Sequence, residues 1–192
     1  MTKADTRTAL MDAAEQAVRA RGHDGFSYAD LSEAIGIRKA SIHYHFPAKS
    51  DLLTAIMERY RDRMSAHLAD IDRAHDSASE RLAAYLDVYR VALQNCTTTC
   101  LCVAFCVGQD GLSDETRTEI GRFRAMVTDW LEATFRLGAE DKSVHSPSVP
   151  DEEAAALYSL AEGAQIAARF EGKMARFDAA IAQFMRRLEK AG

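Results

Sequence analysis

Two helix-ending residues, Gly36 and Pro47, confine the chain between them to one very short helix. Glycine is typical of the position just after a helix, and the residue before a proline is disfavoured in the α conformation. The enclosed sequence predicts a helix of about Arg38 to Phe46. This segment, GIRKASIHYHFPAKSDLL, gathers cations, hydroxyls and rings beside an isoleucine and a phenylalanine that we expect to be buried.

The sequence before Gly36, FSYADLSEAIG, predicts a second short helix with a sharp start. Ser27 is a suitable N-cap, and Asp30 three residues later makes an acidic variant of a capping box. Phe26 and Leu31 occupy the positions of a hydrophobic staple. Two short helices joined by a glycine-containing turn form a helix-turn-helix.

The residues of this motif divide into an inward apolar set and an outward polar set. The inward set is Leu31, Ala34, Ile35, Ile37, Ile42 and Phe46. The outward set is Arg38, Lys39, Ser41, His43, Tyr44 and His45. A recognition helix in the DNA major groove needs hydrogen-bond donors on one face and a fixed opposite face. An ordinary solvated surface is the alternative, but the ordered combination of cap, turn, polar helix and proline favours DNA binding.

Lys49 follows in the first turn of the next helix, where unpaired backbone amides also favour a phosphate. The rest of the chain is rich in good helix formers and contains only 3 prolines and 10 glycines among 192 residues. No strand-like alternation of useful length is present, so the predicted fold class is all-α. Further helices are expected at about 5–21, 49–71, 79–95, 98–107, 114–138, 152–171 and 175–190, with the clearest loop at 138–150.

Net charge and hydropathy exclude fewer classes of function than the helix-turn-helix motif does. The formal net charge is −5, and residues 1–50 carry seven basic and six acidic side chains, so charge alone does not identify a nucleic-acid binder. No apolar run reaches the length of a membrane span, and the first ten residues lack the apolar segment of a signal peptide. We therefore expect a cytoplasmic protein with no membrane partner.

Four cysteines lie within CTTTCLCVAFC, and a cytoplasmic address argues against structural disulfides. On one continuous helix, Cys96 and Cys100 would lie about 40° apart, and Cys102 and Cys106 would form a separate pair. Four thiolates cannot then converge on one zinc ion, so no metal site is assigned, although a break near 97–99 would change the geometry. The cysteines are either small buried apolar residues or a thiol switch, for which Cys100 and Cys102 are the candidates.

Residues 7–53 resemble the N-terminal domain of the tetracycline-repressor (TetR) family of bacterial transcriptional regulators. The matching pieces are RTALMDAAEQAVRARG and FSYADLSEAIGIRKASIHYHFPAKSDLL. The family pattern usually reads tyrosine-histidine-tyrosine-phenylalanine near the end of the recognition helix, where this chain has His43, Tyr44, His45 and Phe46. The candidate DNA contacts, with Ser27 added by the resemblance, are Ser27, Arg38, Lys39, Ser41, His43, Tyr44 and Lys49.

The resemblance also implies a division into a DNA-binding domain at 1–48 and a helical effector-binding and dimerisation domain at 49–192. Helix 152–171 is apolar on nearly all sides and rich in small residues, so another helix could approach it closely. The last helix carries a stripe of Phe177, Ala180, Ile181, Phe184 and Leu188. The two helices are expected to form half of a four-helix dimer interface, with intrachain packing as the alternative.

The leading interpretation is a homodimeric repressor that binds an inverted-repeat operator in double-stranded DNA. An unknown small-molecule effector or cysteine modification would release it, and no cofactor and no catalytic residue are expected. The alternatives are a thiol-dependent enzyme and a helical adaptor that binds no DNA. A thiol enzyme needs a cysteine beside a histidine, yet no histidine occurs between residues 76 and 144. An adaptor leaves the polar third helix unexplained.

Overall fold

The computed structural model describes residues 3–106, 108, 111–144 and 149–189. Within these residues the chain forms nine α-helices and no β-strand, which confirms the all-α prediction. The helices are α1 (Lys3–Arg21), α2 (Tyr28–Ile35), α3 (Lys39–His45), α4 (Lys49–Ala74), α5 (Ala78–Ala92), α6 (Leu101–Cys106), α7 (Asp114–Asp141), α8 (Pro150–Glu171) and α9 (Met174–Glu189). None of the helices described is long and apolar enough to cross a membrane.

Several predicted helix boundaries are misplaced, and the change between α5 and α6 has a local reason. Gln94, Asn95 and Cys96 have φ angles of 44°, 55° and 66°, a left-handed run that cannot continue a right-handed helix. Helix α5 therefore ends at Ala92, and α6 begins only at Leu101. The loop expected from residue 138 starts later, because α7 continues through Asp141.

The chain divides into two compact units. The first contains Met1–Asp62 and Leu101–Phe123, and the second contains Arg63–Cys100 and Arg124–Gly192. Helices α4 and α7 each contribute residues to both units. The first unit includes the whole of the predicted DNA-binding segment 1–48, whose functional boundary at residue 48 stays a prediction.

The first unit is built on packing between α1, α2, α3 and α6. Apolar side chains from α1 to α4 make up its core, where Leu10, Val18, Leu31, Ile42, Leu52 and Ile56 are at most 2% exposed. An ion-pair cluster adds a polar connection between helices. The guanidinium of Arg59 on α4 lies 2.7 Å from the carboxylate of Asp12 and 2.9 Å from that of Glu15, both on α1. These contacts fix α4 against α1.

In the second unit, α9 packs against α8 and α5. Three members of the stripe expected at a dimer interface, Phe177, Ile181 and Phe184, are buried inside the chain. The ring of Phe184 packs edge-on against that of Phe135, with the centroids 6.1 Å apart. These three side chains therefore pack within the chain, while a role of the two helices in a dimer stays a prediction; the side chain of Leu188 lies outside the described residues.

Gly36 gives a direct test of the turn between α2 and α3. Its φ of 68° is left-handed, and a Cβ there would meet no atom within 4 Å, so Gly36→Ala changes only backbone strain. We expect Gly36→Ala to lower the free energy of unfolding by about 1 kcal/mol in urea titrations. Gly121→Ala is the matched control, because Gly121 lies inside α7 with equal space around it. That change should stabilise the protein by about 0.5–1 kcal/mol, and equal effects of the two substitutions would contradict the assignment.

Candidate nucleic-acid interface

A capping box fixes the start of α2, as the sequence predicts. The Ser27 hydroxyl oxygen accepts hydrogen bonds from the backbone N–H groups of Ala29 and Asp30. The Asp30 carboxylate in turn accepts from the Ser27 N–H at 2.6 Å and from the Ser27 hydroxyl at 2.8 Å. These bonds from Ser27 lower the pKa of Asp30. Ser27 is exposed, but its hydroxyl already donates to Asp30, so a DNA phosphate would have to compete for that proton.

The turn between the two helices is closed by three hydrogen bonds around Ser32. The N–H of Gly36 and the N–H of Ile37, the latter at 3.1 Å, both donate to the carbonyl oxygen of Ser32. The Ser32 hydroxyl donates back to the carbonyl of Ile37 at 2.5 Å. This closure sets where α3 begins relative to α2.

The inward face of α3 is held by burial and by one hydrogen bond from α2. Ile42 is 0% exposed and Phe46 is 3% exposed. The Tyr28 hydroxyl donates to the carbonyl oxygen of Phe46 at 2.9 Å. Burial, and secondarily the charge of Asp51, raises the pKa of Tyr28 to about 12. Sequence reasoning did not assign Tyr28 a role, because nothing local marks its reach to a residue 18 positions away.

The inward set is smaller than the sequence predicts. Leu31, Ile42 and Phe46 are buried, but Ile35 and Ile37 are only half-buried, and Ala34 is exposed. Helix α2 has eight residues, and Leu31 is its only fully buried side chain. The buried apolar side chains that fix α3 are therefore mainly its own Ile42 and the following Phe46.

The outward face of α3 brings most of the predicted DNA contacts together. Arg38, Lys39, His43 and Tyr44 are exposed, with Tyr44 at 65%, while Ser41 is half-buried. Arg38 is the N-cap residue of α3, but its side chain makes no capping bond. These side chains present donors from one short, firmly held helix, which is the arrangement required to reach base edges and phosphates in a groove.

Lys49 is held more tightly than the sequence indicates. Its ammonium donates to the carbonyl oxygen of Phe26 at 2.6 Å and lies 4.3 Å from the centroid of the Phe26 ring. Burial lowers its pKa, against the opposing charges of Asp24 and Asp30. An ammonium has three donors, so Lys49 can bind a phosphate and still tie the start of α4 to the segment before α2.

The cysteine segment is clamped by a buried glutamine of α8 in the second unit. Gln165 is 0% exposed; its side-chain oxygen accepts from the Cys100 N–H at 2.9 Å, and its amide nitrogen donates to the Tyr89 carbonyl at 2.6 Å. One turn along α8, Arg169 donates to the carbonyl of Thr97. These bonds hold the left-handed run in place. A glutamine within the small and apolar run of residues 163–168, GAQIAA, was the sequence signal, and it was missed.

All four cysteines lie in the described part of the chain and remain thiols. Cys100 and Cys102, the candidate sensors, are 2% and 0% exposed, whereas Cys96 and Cys106 are half-buried. The chain is not helical between Ala92 and Leu101, so Cys100 precedes α6, while Cys102 and Cys106 lie one turn apart on it. Among the residues that the structure describes, no group of three or more His, Cys, Asp and Glu side chains could hold a metal ion.

A buried histidine links the segment before α2 to the end of α6 within the first unit. His23 is 3% exposed, and its Nε2–H donates to the carbonyl oxygen of Gly108. Its Nδ1 lies 3.2 Å from the Asp24 carboxylate, and its ring stacks on Phe105 with the centroids 6.3 Å apart. A Cβ on Gly108 would lie 3.2 Å from the ring, so the close approach depends on that glycine.

The capped α2, the glycine turn and the exposed polar α3 together define a helix-turn-helix DNA-binding protein. Residues 10–56 match the model of a family described as bacterial regulatory proteins, tetR family. The chain therefore carries the DNA-binding domain of the TetR family of transcriptional regulators, and the relatives that it resembles are DNA-binding regulators, not enzymes.

Individual relatives agree with this assignment along different lengths of the chain. The transcriptional repressor ComR of Escherichia coli is 33% identical over 94 residues, which cover 48% of this chain and 43% of ComR. The repressor NemR of the same organism is 23% identical over 184 residues, covering 94% of this chain and 92% of NemR. Its solved structure, described as the reduced form, has a TM-score of 0.80.

A solved structure from another organism also matches along nearly the whole chain. A TetR-family transcriptional regulator from Agrobacterium tumefaciens superimposes with a TM-score of 0.92 at 27% identity, covering 97% of this chain and 98% of that one. The likeness therefore extends over the second unit as well as over the helix-turn-helix.

Proposed function

We propose that this protein is a homodimeric repressor, acting in the cytoplasm, that binds an inverted-repeat operator through α3 of each subunit. The observation that carries the proposal is the exposed polar face of α3 above the buried Ile42 and Phe46. One such helix reads few base pairs, and a twofold dimer doubles that number. ComR and NemR, both described as transcriptional repressors, support repression and not activation.

The candidate contacts divide into two groups by what they can bind. Lys39 and Lys49 carry ammonium groups suited to phosphates, which supply affinity without sequence information. Arg38, Ser41, His43 and Tyr44 can reach base edges as well as phosphates, and Arg38 is the best donor for a guanine. Ser27, whose hydroxyl is engaged in the capping box, is the weakest member of the set.

The proposed dimer surface lies on α8. Its exposed positions Ala156, Ser159, Gly163, Ile166 and Phe170 repeat at alternating intervals of three and four, the spacing of a coiled-coil seam. Ile166 is 48% exposed and Phe170 is 91% exposed, which is unusual for large apolar side chains one turn apart. The small residues earlier in the seam would let a partner helix approach closely. A second copy of this chain presents the same seam, as a twofold interface requires.

Release from DNA is proposed to follow binding of a small effector or modification of a thiol at Cys100 or Cys102. An effector can shift the conformation only by binding the non-DNA-binding state more tightly. Both thiols are buried, and an adduct in a packed interior costs about 1–3 kcal/mol. A typical allosteric coupling free energy is also about 1–3 kcal/mol, so the cost of one adduct is large enough to release the protein from DNA. The description of the NemR structure as a reduced form supports the proposal.

DNA binding is tested by selecting duplexes from a random pool with the full-length protein. We expect an inverted repeat whose half-site centres lie about 34–36 Å apart or somewhat farther. Lys39→Ala should weaken binding to all duplexes and reduce the slope of log affinity against log salt by about one per subunit. Lys173→Ala, which removes an exposed ammonium beyond α8, should leave that slope unchanged. A single asymmetric footprint, or equal slopes for the two variants, would contradict the proposal.

Dimerisation is tested by placing a charge in the α8 seam. Phe170→Glu should produce monomers by light scattering and weaken operator binding at least tenfold, because the two half-sites are then bound independently. Val91→Glu is the matched control, since Val91 is 66% exposed on α5, outside the seam. The control should stay dimeric with unchanged affinity. An unchanged dimer for Phe170→Glu would remove α8 from the interface.

The thiol proposal is tested by adding N-ethylmaleimide to the operator complex and following dissociation. We expect release from the native protein, and loss of release when Cys100 and Cys102 are both replaced by serine. The matched control replaces Cys96 and Cys106, the half-buried thiols, and should still respond. Release that depends on the control pair would transfer the sensor to those residues. If no variant responds, the cysteines only pack and the effector is a non-covalent ligand.

A further inference from the structure

We propose that Arg7 on α1 binds a DNA phosphate beside the end of α3, a contact from outside the helix-turn-helix. Its guanidinium anchors the end of the recognition helix to one backbone strand, whatever the base sequence. The inference rests on the proposed function, because it takes α3 to lie in the major groove. It adds a residue on another helix and the chemical group, a phosphate oxygen, that this residue binds.

Two contacts within the first unit hold the Arg7 side chain in place. The carbon of its guanidinium lies 5.1 Å from the centroid of the Phe46 ring. One guanidinium nitrogen, Nη1, donates to the sulfur of Met11, one turn along α1, at 3.2 Å. Phe46 and Met11 are 3% and 4% exposed. Because both supporting side chains are buried, the guanidinium lies on a firmly packed apolar surface.

The guanidinium keeps its charge and most of its donors for a further partner. Arginine has five N–H donors in a planar fork, and contact with a ring uses the face of that plane more than its edge. Arg7 is exposed, and in the described part of the chain its side chain contacts uncharged groups. Arg59, which also packs on α1, differs because it pairs with the carboxylates of Asp12 and Glu15. The charge of Arg7 is therefore available to an anion.

The position of Arg7 beside α3 makes a phosphate the expected anion. Phe46, which the guanidinium covers, is the C-cap residue of α3, and Arg38 is the N-cap residue at the opposite end. The major groove is about 12 Å wide, so a helix within it lies about 6 Å from a backbone strand on either side. An arginine side chain is long enough to span that distance. One exposed guanidinium at each end of α3 matches the two phosphate strands that border the groove.

The dipole of α3 gives a reason for a cation at this particular end. The carbonyl groups in the last turn of a helix carry a partial negative charge, which repels a phosphate. The Tyr28 hydroxyl donates to the Phe46 carbonyl, but a neutral phenol adds no positive charge. A guanidinium is always protonated in proteins, so Arg7 supplies a permanent positive charge where the helix end is least favourable to DNA.

The first measurement separates a phosphate contact from a purely structural role, in which Arg7 only covers Phe46. Affinities of the full-length protein for a selected and a scrambled duplex are measured over a range of salt concentrations. Arg7→Gln should weaken binding to both duplexes about tenfold and lower the slope of log affinity against log salt by about one per subunit. Arg73→Gln is the matched control and should leave the slope unchanged, since Arg73 is 73% exposed in the second unit and pairs with Asp70. Weaker binding of Arg7→Gln with an unchanged slope would mean that Arg7 only packs, and would overturn the proposal.

The second measurement locates the phosphate with duplexes that carry one uncharged methylphosphonate at a time along each half-site. At one position or two neighbouring positions per half-site, this change should weaken binding of the native protein about tenfold and leave binding of Arg7→Gln unaffected. Lys39→Ala, which removes a different candidate contact, should keep the sensitivity at those positions. If Arg7→Gln is as sensitive as the native protein at every position, the proposal is wrong while the proposed function stands. If the native protein binds no duplex in a salt-dependent way, the proposed function fails and this inference fails with it.

Discussion

Burial of Ile42 and Phe46 is the constraint on which the rest of the DNA-facing surface depends. Helix α3 has only seven residues, and a helix of that length has too few internal hydrogen bonds to persist alone. Burial of each apolar side chain contributes about 1.5–3 kcal/mol of stability. The hydrogen bond from the Tyr28 hydroxyl to the Phe46 carbonyl adds a directional contact that orients the end of α3. Because the inward face supplies this stability, the outward residues of α3 are left to bind a partner.

Local signals in the sequence were enough to find this motif. A capping box, a left-handed glycine and a proline each act within a few residues, so the order of α2, turn and α3 follows from short-range chemistry. The same holds for the long amphipathic helices, although several of their ends were misplaced. The run at Gln94, Asn95 and Cys96 is one such place, since none of the three is a glycine that would signal a positive φ.

Contacts between residues far apart in the chain could not be read from the sequence. Tyr28 reaches Phe46, Lys49 reaches Phe26, and Gln165 reaches both Tyr89 and Cys100, and no periodicity predicts these pairings. The apolar stripe on α9 was predicted to lie at a dimer interface, because in a sequence an apolar stripe looks the same whether its own subunit or a partner covers it. Exposure distinguishes the two sides of α8, since Gln165 is buried while Ile166 and Phe170 are exposed.

The buried contact between His23 and Gly108 has a mechanical consequence within the first unit. If the end of α6 moved away alone, a buried imidazole N–H would lose its acceptor, which costs about 1–3 kcal/mol. If His23 and the end of α6 move together, the hydrogen bond is kept. The stacking of Phe105 on the His23 ring also favours joint movement. Only three residues separate His23 from the Ser27 cap of α2. A small displacement of the end of α6 would therefore shift the start of α2 without unfolding it.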